Sequence, residues 1–303
     1  MAVIGVDLGG TKVSAALFSD KGKLLKKEYR LLGGATGSAV GVIVAEMIVS
    51  LRAQRPDLPV EAVGICVPGI VYSKRGTVWA PNIPGWDNYP LKNDLQAVLG
   101  DPSIKISIAS DRTCYILGEV WKGAAQGCND AIYLAVGTGI GAGILLDGRI
   151  IHGANDIVGA TGWMALETPF KDEFIPMGCF EYYASGNGIG LQAKKLYEDE
   201  RKTSYDVFAQ YGKDPVSTQI LDKAIQCWGM GAANLVSLFN PQKVIFGGGL
   251  FGPAVRFIDR IYGEARKWGQ PISMRDVKFC PSALEGDAAL LGAAYLCLWE
   301  MNH

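Results

Sequence analysis

The sequence predicts an α/β protein with two domains. Apolar runs of strand length alternate with segments of helical period along both halves of the chain. A strand, a glycine-rich loop and a return strand occur near the start, and the same arrangement recurs more than a hundred residues later. With 303 residues, 49% of them hydrophobic, the chain is also long enough for two cores. We therefore expect two halves of related architecture.

The first glycine loop joins predicted strands at residues 2–6 and 13–18 and reads Asp7-Leu8-Gly9-Gly10-Thr11-Lys12. Two adjacent glycines allow main-chain N–H groups to approach an anion closely, and a carboxylate at the end of a strand can hold a hydrated cation beside it. These properties are typical of a site for a metal-bound phosphate. A tight turn without a ligand is the alternative for this loop taken alone.

The second glycine loop, Gly137-Thr138-Gly139-Ile140-Gly141, lies between apolar runs at residues 131–136 and 142–146, and Asp147-Gly148 then predicts a hairpin turn. Two such loops favour two halves that face one nucleotide over a pair of unrelated turns. The sequence contains no G-x-x-x-x-G-K-[ST] segment, which excludes the P-loop NTPases. The second loop also matches G-x-G-x-x-A, but a dinucleotide fingerprint opens a helix, whereas a strand-like run follows here.

Glycine and proline bound the remaining elements of the first half. Gly33-Gly34 ends a third strand, Arg55-Pro56 follows an amphipathic helix, and Pro68-Gly69 ends a buried strand. The predicted strands cover residues 24–31, 60–67 and 104–109, and the predicted helices cover residues 38–53 and 111–122.

The second half repeats this alternation on a larger scale. Asn240-Pro241 ends a long helix, and Gly247-Gly248-Gly249 follows a short strand at residues 244–246. The predicted helices cover residues 181–200, 215–239, 254–268 and 288–301. Because no low-complexity linker separates the halves, we expect a hinge within helices and strand ends.

Composition limits the partners and the compartment. Acids and bases are interspersed and the net charge is -1, which predicts no nucleic-acid partner. Seven cysteines without C-x-x-C spacing are typical of buried thiols in a reducing compartment. No signal segment precedes the first strand, and no apolar stretch reaches about 18 residues. We expect a cytoplasmic protein without membrane contact, whose partners are small molecules and a second copy of the chain, as a homodimer.

Over essentially its whole length, the chain resembles the ROK (repressor, open reading frame, kinase) family of sugar kinases, within the actin-like ATPase superfamily. The segments that carry this resemblance are residues 7–12, 64–69, 80–82, 85–86, 111, 119, 137–143, 178–181, 240–241, 247–249 and 291–294. The resemblance implies a two-domain actin-like ATPase (ribonuclease H-like) fold with a cleft between the domains. The expected domains are residues 1–112 with 288–303, and residues 113–287.

The resemblance also implies ATP-dependent phosphorylation of a sugar hydroxyl, commonly the 6-OH of a hexose. Phosphoryl transfer needs mostly positioning and charge neutralisation, which two glycine loops and Mg²⁺ can supply. Asp7 would bind the Mg²⁺ through water. The expected nucleotide contacts are Gly9, Gly10, Thr11 and Lys12 on one side of the phosphates, Gly137, Thr138 and Gly139 on the other, and Gly247, Gly248 and Gly249 at the adenine and ribose.

Asp111 is the candidate general base, because it closes a buried strand and opens a helix. A helix N-cap is the alternative, since aspartate favours that position. Asn82, in a Pro-Asn-x-Pro-Gly-Trp segment, can exchange hydrogen bonds with a sugar hydroxyl, or can be a plain turn residue. Glu181 begins a helix and by resemblance accepts a hydrogen bond from the sugar. Gly69 and Trp163 are also expected at the sugar.

The chain departs from the family pattern at the sugar and zinc sites. Where the family has G-E-x-G-H, this chain has Gly159-Ala160-Thr161-Gly162-Trp163, and Ser110 stands where an asparagine usually precedes the catalytic aspartate. Of the C-x-C-G-x-x-G-C zinc cluster, only Cys179 remains. One thiolate cannot hold a structural zinc, which takes four ligands, so we predict no zinc. Packing by Trp163 and Phe174 would replace it.

The sequence thus predicts a sugar kinase that uses ATP and Mg²⁺. A non-catalytic sugar or nucleotide sensor of the same fold is the alternative, which the altered sugar contacts favour and the intact Asp7, Asp111 and glycine loops oppose. A DNA-binding repressor of this family needs an N-terminal helix-turn-helix region, whereas the first predicted strand begins at residue 2. That function is therefore disfavoured.

Overall fold

The chain forms two compact units, each built around one five-stranded sheet. The structure, a computed structural model, describes residues 2–302. Within them, one unit contains the chain up to Gln126, the segment His152–Ile157 and the chain from Asp287 onward, and the other contains Gly127–Ile151 and Val158–Gly286. The expected domains, residues 1–112 with 288–303 and 113–287, stay a prediction, and residues 1 and 303 lie outside the described part.

The strands are β1 (Ala2–Leu8), β2 (Lys12–Ser19), β3 (Leu24–Leu31), β4 (Val60–Val67), β5 (Ile70–Tyr72), β6 (Thr77–Trp79), β7 (Lys105–Ser110), β8 (Ala131–Val136), β9 (Ile140–Leu146), β10 (Arg149–Ile150), β11 (Lys243–Gly247) and β12 (Lys278–Pro281). The helices are α1 (Ser38–Ala53), α2 (Leu91–Leu99), α3 (Asp111–Lys122), α4 (Cys179–Ala184), α5 (Gly186–Tyr197), α6 (Ser204–Gln210), α7 (Pro215–Phe239), α8 (Ile258–Trp268), α9 (Pro271–Asp276) and α10 (Ala288–Asn302). Within the described range, no helix is both long and apolar enough to cross a bilayer.

The two sheets follow one plan. Their strand orders are β3-β2-β1-β4-β7 and β10-β9-β8-β11-β12. In each sheet, three consecutive strands form an antiparallel meander, and two further strands are added parallel to the first strand of that meander. The two glycine loops occupy the same position in this plan, since each connects the first and second strands. The predicted recurrence of strand, glycine loop and return strand is therefore confirmed.

Many predicted elements have the predicted bounds. The strands at residues 24–31, 60–67 and 131–136 and the helices at residues 38–53, 111–122 and 215–239 agree with the structure residue for residue. The turn after β9 is also as predicted, because Asp147 and Gly148 both have positive φ, at 49° and 67°. That pair of angles is the one a two-residue hairpin turn requires.

The predicted single helix at residues 181–200 is wrong. Two helices, α4 and α5, occupy this stretch and meet at Ser185, whose backbone is extended, with φ of −88° and ψ of 167°. The Ser185 hydroxyl accepts a hydrogen bond from Gly188 N–H at 3.0 Å and so caps α5. The predicted helix at residues 254–268 also starts later, because Pro253–Phe257 is a 3-10 turn and α8 begins at Ile258.

Each unit has its own hydrophobic core. In the second unit, Trp228 of α7 is fully buried, and its indole N–H donates to the carbonyl of Ala184 at 3.0 Å. In the first unit, the buried rings of Trp86 and Tyr89 stack with their centroids 4.5 Å apart. These cores hold the strand ends and loops that carry the candidate site.

In the first unit, α10 packs against the sheet and α3 at main-chain distance. A Cβ added to Gly64 of β4 would lie 1.7 Å from the carbonyl oxygen of Ala293, and a Cβ added to Gly292 would lie 1.7 Å from the carbonyl oxygen of Cys114. Only glycine permits these approaches, since a Cβ at that distance would overlap the oxygen. The position of α3, which begins with Asp111, therefore depends on α10.

Gly64→Ala is expected to destabilise the protein by about 2–4 kcal/mol, because the added methyl group must push α10 away from β4. Gly263→Ala is the matched control, since Gly263 lies in α8 and an added Cβ there would meet nothing within 4 Å. The control should be neutral or stabilising by about 0.5–1 kcal/mol. Chemical denaturation compares the two variants, and equal midpoints would contradict the close packing of α10.

Candidate active site

The first glycine loop is closed by its own main chain and open on its outer side. Asp7 lies at the end of β1, and the Gly9 N–H donates to the carbonyl of Lys12 at 2.9 Å. Gly10, Thr11 and Lys12 are exposed. Their main-chain N–H groups and the lysine side chain can therefore approach an anion.

The asparagine segment lies directly against this loop. A Cβ added to Gly10 would lie 2.9 Å from the carbonyl oxygen and 3.0 Å from the Cβ of Asn82. Asn82 itself is exposed, whereas Trp86 beyond it is buried and donates its indole N–H to the carbonyl of Gly37 at 3.0 Å. The tryptophan thus anchors the segment, and the asparagine stays available to a ligand beside the first glycine loop.

Gly69 shapes the turn after β4. Its φ is 135°, and a Cβ there would lie 2.1 Å from the carbonyl oxygen of Trp79. No larger residue fits, because both the backbone angle and the space exclude a side chain. The turn therefore passes close to the end of β6, two residues before Pro81-Asn82.

Asp111 is close enough for its charge to act on the Asp7 carboxyl. Burial raises the pKa of the Asp7 carboxyl, a hydrogen bond from the Cys66 thiol lowers it, the charge of Asp111 raises it again, and Lys12 lowers it. A hydrated divalent cation fits this donor set, since it would relieve the cost of holding two half-buried carboxylates close together. The structure thus brings the predicted magnesium ligand and the predicted base into one place.

Asp111 is not the N-cap of α3. Ser110 is the N-cap, and its hydroxyl accepts from Thr113 N–H at 3.5 Å, while Asp111 is the first residue of the helix. One carboxylate oxygen of Asp111 accepts from Arg112 N–H at 2.8 Å. Burial raises the pKa of the Asp111 carboxyl, and the charge of Arg112 opposes that shift. The alternative of a plain cap is therefore wrong for Asp111, and its raised pKa makes it a stronger base.

The second glycine loop is held by the start of α5. Gly137 N–H donates to the carbonyl of Gly139 at 3.0 Å. The first two N–H groups of α5 also donate to the loop: Gly186 to the carbonyl of Gly137 at 2.8 Å, and Asn187 to the carbonyl of Thr138 at 3.2 Å. The carbonyl groups of the loop therefore accept hydrogen bonds from within the second unit. A strand, β9, follows the loop, which confirms that it is not a dinucleotide fingerprint.

The three glycines after β11 lie beside the second glycine loop. A Cβ added to Gly137 would meet Gly249 N at 3.7 Å, and Gly248 has a φ of 90°. Gly247 is packed on the ring of Tyr133, whose hydroxyl would lie 1.9 Å from an added Cβ. All the nucleotide contacts predicted in the second half are therefore contiguous in the second unit.

Comparison with known proteins settles the family. The model of the ROK family matches residues 3–300 of the chain. The chain belongs to the ROK family. A glucokinase of Thermotoga maritima is 31% identical, with 97% of this chain and 96% of that protein covered. A beta-glucoside kinase of Listeria monocytogenes is 29% identical, with 100% and 99% covered.

Solved structures agree with this membership. A ROK hexokinase from Thermus thermophilus superposes with a TM-score of 0.85 at 28% identity, covering 100% of this chain and 99% of that one. A ROK family glucokinase from Streptomyces griseus, solved with glucose and AMPPNP, superposes with a TM-score of 0.73 at 27% identity, covering 98% and 99%. The predicted actin-like ATPase fold is therefore confirmed.

Glu181 and Trp163, two predicted sugar contacts of this ROK protein, are neighbours in the second unit. A Cβ added to Gly162 would lie 2.8 Å from Glu181 Oε2, and one added to Gly178 would lie 2.6 Å from the Cα of Trp163. Burial raises the pKa of the Glu181 carboxyl, and a hydrogen bond from Ile140 N–H opposes it. The Trp163 side chain is 60% exposed.

A network of charged and aromatic side chains, which the sequence reasoning missed, holds the segment between Trp163 and α4. The Glu167 carboxylate accepts hydrogen bonds from Lys171 at 2.9 Å, from Tyr183 at 2.9 Å, and from Lys223. Burial alone would raise the pKa of Glu167, but these three partners lower it to about 2. The spacing of Glu167 and Lys171 could have indicated their pair, whereas Tyr183 and Lys223 come from α4 and α7 and carry no local signal.

Phe174 packs beside this network. It is buried, and its ring makes edge contacts with Phe170, Tyr182 and Tyr183 at centroid distances of 5.9, 5.5 and 5.7 Å. Trp163, expected to pack here too, is not part of this cluster. Within residues 2–302, no three histidine, cysteine, aspartate or glutamate side chains are grouped to hold a metal ion. The absence of zinc stays a prediction.

Proposed function

We propose that this ROK protein is an ATP-dependent carbohydrate kinase that phosphorylates a hydroxyl, the 6-OH, of a hexose or hexose derivative. The observation that carries the proposal is the gathering of Asp7, Gly10, Asn82 and Asp111 in the first unit. A phosphate loop, a sugar-binding amide and two carboxylates are the parts that such a transfer needs. ROK relatives named as glucokinase and beta-glucoside kinase support the same class of reaction.

Asp111 is the proposed general base. Its carboxylate would accept the proton of the attacking hydroxyl, and its raised pKa suits that role. Asn82 would orient the hydroxyl, since its segment contacts Gly10 of the phosphate loop. Asp7 would hold Mg²⁺ through water, and the bound ion would neutralise charge on the phosphates. Two exposed groups of the same loop, Thr11 and Lys12, would add donors for phosphate oxygens.

The second unit would supply the remaining nucleotide contacts. Gly137, Thr138 and Gly139 would contact phosphates through their main chain, and Gly247, Gly248 and Gly249 would contact the adenine and ribose. Their contiguity supports this assignment, because one nucleotide can reach all of them only if they lie side by side. ATP, Mg²⁺ and a sugar are thus the proposed ligands.

The proposed sugar differs from glucose at C1 or C2. Family resemblance assigns residues at Ala160 and Trp163 to hydroxyls near these atoms, and here a methyl group and an indole replace a carboxylate and an imidazole. A hydroxyl buried without a partner costs about 1–3 kcal/mol. The exposed indole of Trp163 instead suits an apolar ring face or a bulkier substituent. Glu181 and Gly69 would complete the sugar site.

A homodimer, a cytoplasmic location, and the lack of nucleic-acid and membrane partners are further parts of the proposal. They rest on the balanced charge and on the scattered cysteines, five of which are buried. The second candidate function, a non-catalytic sensor, is favoured by the replaced sugar contacts at Ser110, Ala160 and Trp163. Turnover decides between the two functions, because a sensor binds both ligands without transfer.

Asp111→Asn is expected to lower kcat by about 10² to 10⁴, while calorimetry shows unchanged binding of Mg-AMPPNP and sugar. Ser110→Ala is the matched control for helix stability, since it removes the cap of the same helix and costs about 1 kcal/mol. Near-normal turnover in Asp111→Asn would refute the role of base. A wild type that binds both ligands and turns over no sugar would support the sensor.

Glucose is expected to be a weak substrate, and a different hexose, a ketose or a C1- or C2-modified sugar a better one. The physical reason is the loss of two hydrogen-bonding side chains at that end of the ring. A coupled assay across a panel of such sugars measures kcat/KM for each. Efficient turnover of glucose, with no better sugar in the panel, would contradict the proposal.

Protein purified without chelator is expected to contain well under one zinc per chain, and EDTA should leave its denaturation midpoint unchanged.

Glu167→Gln should lower the stability by about 1–2 kcal/mol, because it removes the charge that Lys171 and Lys223 pair with. Since the folded pKa of Glu167 is depressed, this stabilisation is present above its ordinary pKa near 4.5 and is lost as the pH falls toward 2.

The control for Glu167 is Glu173→Gln in the same segment, whose pair with Lys195 is exposed and should leave the midpoint unchanged. Stoichiometric zinc, or a midpoint that falls on chelation, would mean that a metal rather than the Glu167 network holds this segment.

A further inference from the structure

The Glu181 carboxylate occupies a narrow space between two glycines of the second unit. Its Oε2 accepts a hydrogen bond from Ile140 N–H at 2.7 Å. A Cβ added to Gly139 would lie 2.7 Å from Oε2, and a Cβ added to Gly162 would lie 2.8 Å from the same atom. Both positions must therefore lack a side chain for the carboxylate to reach Ile140.

Ile140 directly follows Gly139 in the second glycine loop. It is the first residue of β9 and pairs with Val136 across the mouth of the loop. The loop's other hydrogen bonds in the described structure, those made by Gly137, Gly186 and Asn187 N–H, join main chain to main chain. Glu181 is thus the side chain that ties this loop to α4, and the same residue is a proposed sugar contact.

The second carboxylate oxygen is not used in this way. Among residues 2–302, Glu181 Oε1 has no hydrogen-bond partner, although it lies 3.1 Å from the Cβ position of Gly139. A carboxylate can accept several hydrogen bonds, so Oε1 retains its full capacity for a ligand hydroxyl. One side chain therefore offers one oxygen to the loop and the other to a ligand.

We propose that Glu181 is a positioning residue for the second phosphate loop, through which sugar binding improves nucleotide binding. Oε2 holds the loop by Ile140 N–H, and Oε1 accepts a hydrogen bond from the sugar. A sugar bound to Oε1 restrains the carboxylate and thereby the loop. The loop then loses less conformational entropy when the nucleotide binds, so the nucleotide binds more tightly. This coupling is reciprocal, since each ligand must change the affinity of the other by the same factor. The inference rests on the proposed kinase function.

Glu181→Ala and Glu181→Gln separate the two roles. Without sugar, Glu181→Ala is expected to weaken Mg-AMPPNP binding about 5- to 20-fold in calorimetry, because Ile140 N–H loses its acceptor. Glu181→Gln should bind Mg-AMPPNP within about twofold of the wild type, since its amide oxygen can still accept from Ile140 N–H. Both variants should raise the KM for sugar, and both should lose the increase in nucleotide affinity that sugar causes in the wild type.

Gly162→Ala tests the same contact while the carboxylate is kept. Its Cβ would meet Glu181 Oε2 at 2.8 Å and the carbonyl oxygen of Ile140 at 3.0 Å, so it should displace the carboxylate and weaken Mg-AMPPNP binding as Glu181→Ala does. Gly263→Ala is the matched control, because its Cβ would meet nothing within 4 Å. Circular dichroism checks folding, and Gly162→Ala with Glu181→Gln decides the matter if Glu181→Ala does not fold.

Two results would overturn the inference while the kinase function stands. One is wild-type affinity for Mg-AMPPNP in both Glu181→Ala and Gly162→Ala, with only the KM for sugar raised, which would make Glu181 a sugar contact alone. The other is an equal loss of nucleotide binding in Glu181→Gln and Glu181→Ala, which would make its charge rather than its hydrogen bond responsible. A wild type without sugar phosphorylation would instead refute the kinase proposal and the coupling together.

Discussion

The first unit depends on the approach of α10 to its neighbours at main-chain distance. An added Cβ would lie 2.4 Å from Leu290 O at Gly5 and 2.3 Å from Ala288 O at Gly118, in addition to the 1.7 Å approaches at Gly64 and Gly292. One helix therefore touches β1, β4 and α3 through their backbones. Asp7 lies on β1 and Asp111 begins α3, so the distance between the two carboxylates is set by backbone contacts. Contacts of this kind vary little with side-chain motion, which suits a site whose chemistry depends on position.

The second unit is organised by different means. Its glycine loop is held by N–H groups at the start of α5 and by the Glu181 carboxylate, and the segment before α4 is held by the Glu167 network and the ring of Phe174. Apart from the Phe174 ring, these are polar contacts that satisfy groups which burial would otherwise leave unpaired. The first unit thus supports its candidate residues by shape, and the second unit supports its own by hydrogen bonds.

The sequence was most informative where a local pattern decides the structure. The glycine pair after β1, the Asp147-Gly148 turn and the ends of α1, α3 and α7 all follow from short-range rules, and all are confirmed. The break at Ser185 was missed because helical periodicity continues across it, although a serine followed by Gly-Asn-Gly could have indicated a cap. Ser110 rather than Asp111 is the N-cap of α3. The sequence did not distinguish these two adjacent residues, since serine and aspartate have similar capping preferences.

Contacts between distant residues were beyond sequence reasoning. Glu181 and Ile140 are 41 residues apart, and Glu167 and Lys223 are 56 apart, so no spacing rule joins either pair. The packing of Asn82 on Gly10 is of the same kind, although the two segments were each assigned to the site. The roles of single residues could therefore be predicted from the sequence, whereas only the fold shows which of these residues lie close together.

The order of the units along the chain has a consequence for synthesis. All residues of the second unit precede residue 287, whereas the first unit needs α10, which begins at Ala288. On the ribosome, the second unit is therefore complete while β1, β4 and α3 still lack the helix that covers their glycines. Nascent chains expose unfinished apolar surface at this stage, until α10 has been made. A chain that stops before residue 288 retains every predicted phosphate, sugar and metal residue, yet lacks the element that sets Asp7 and Asp111 in place.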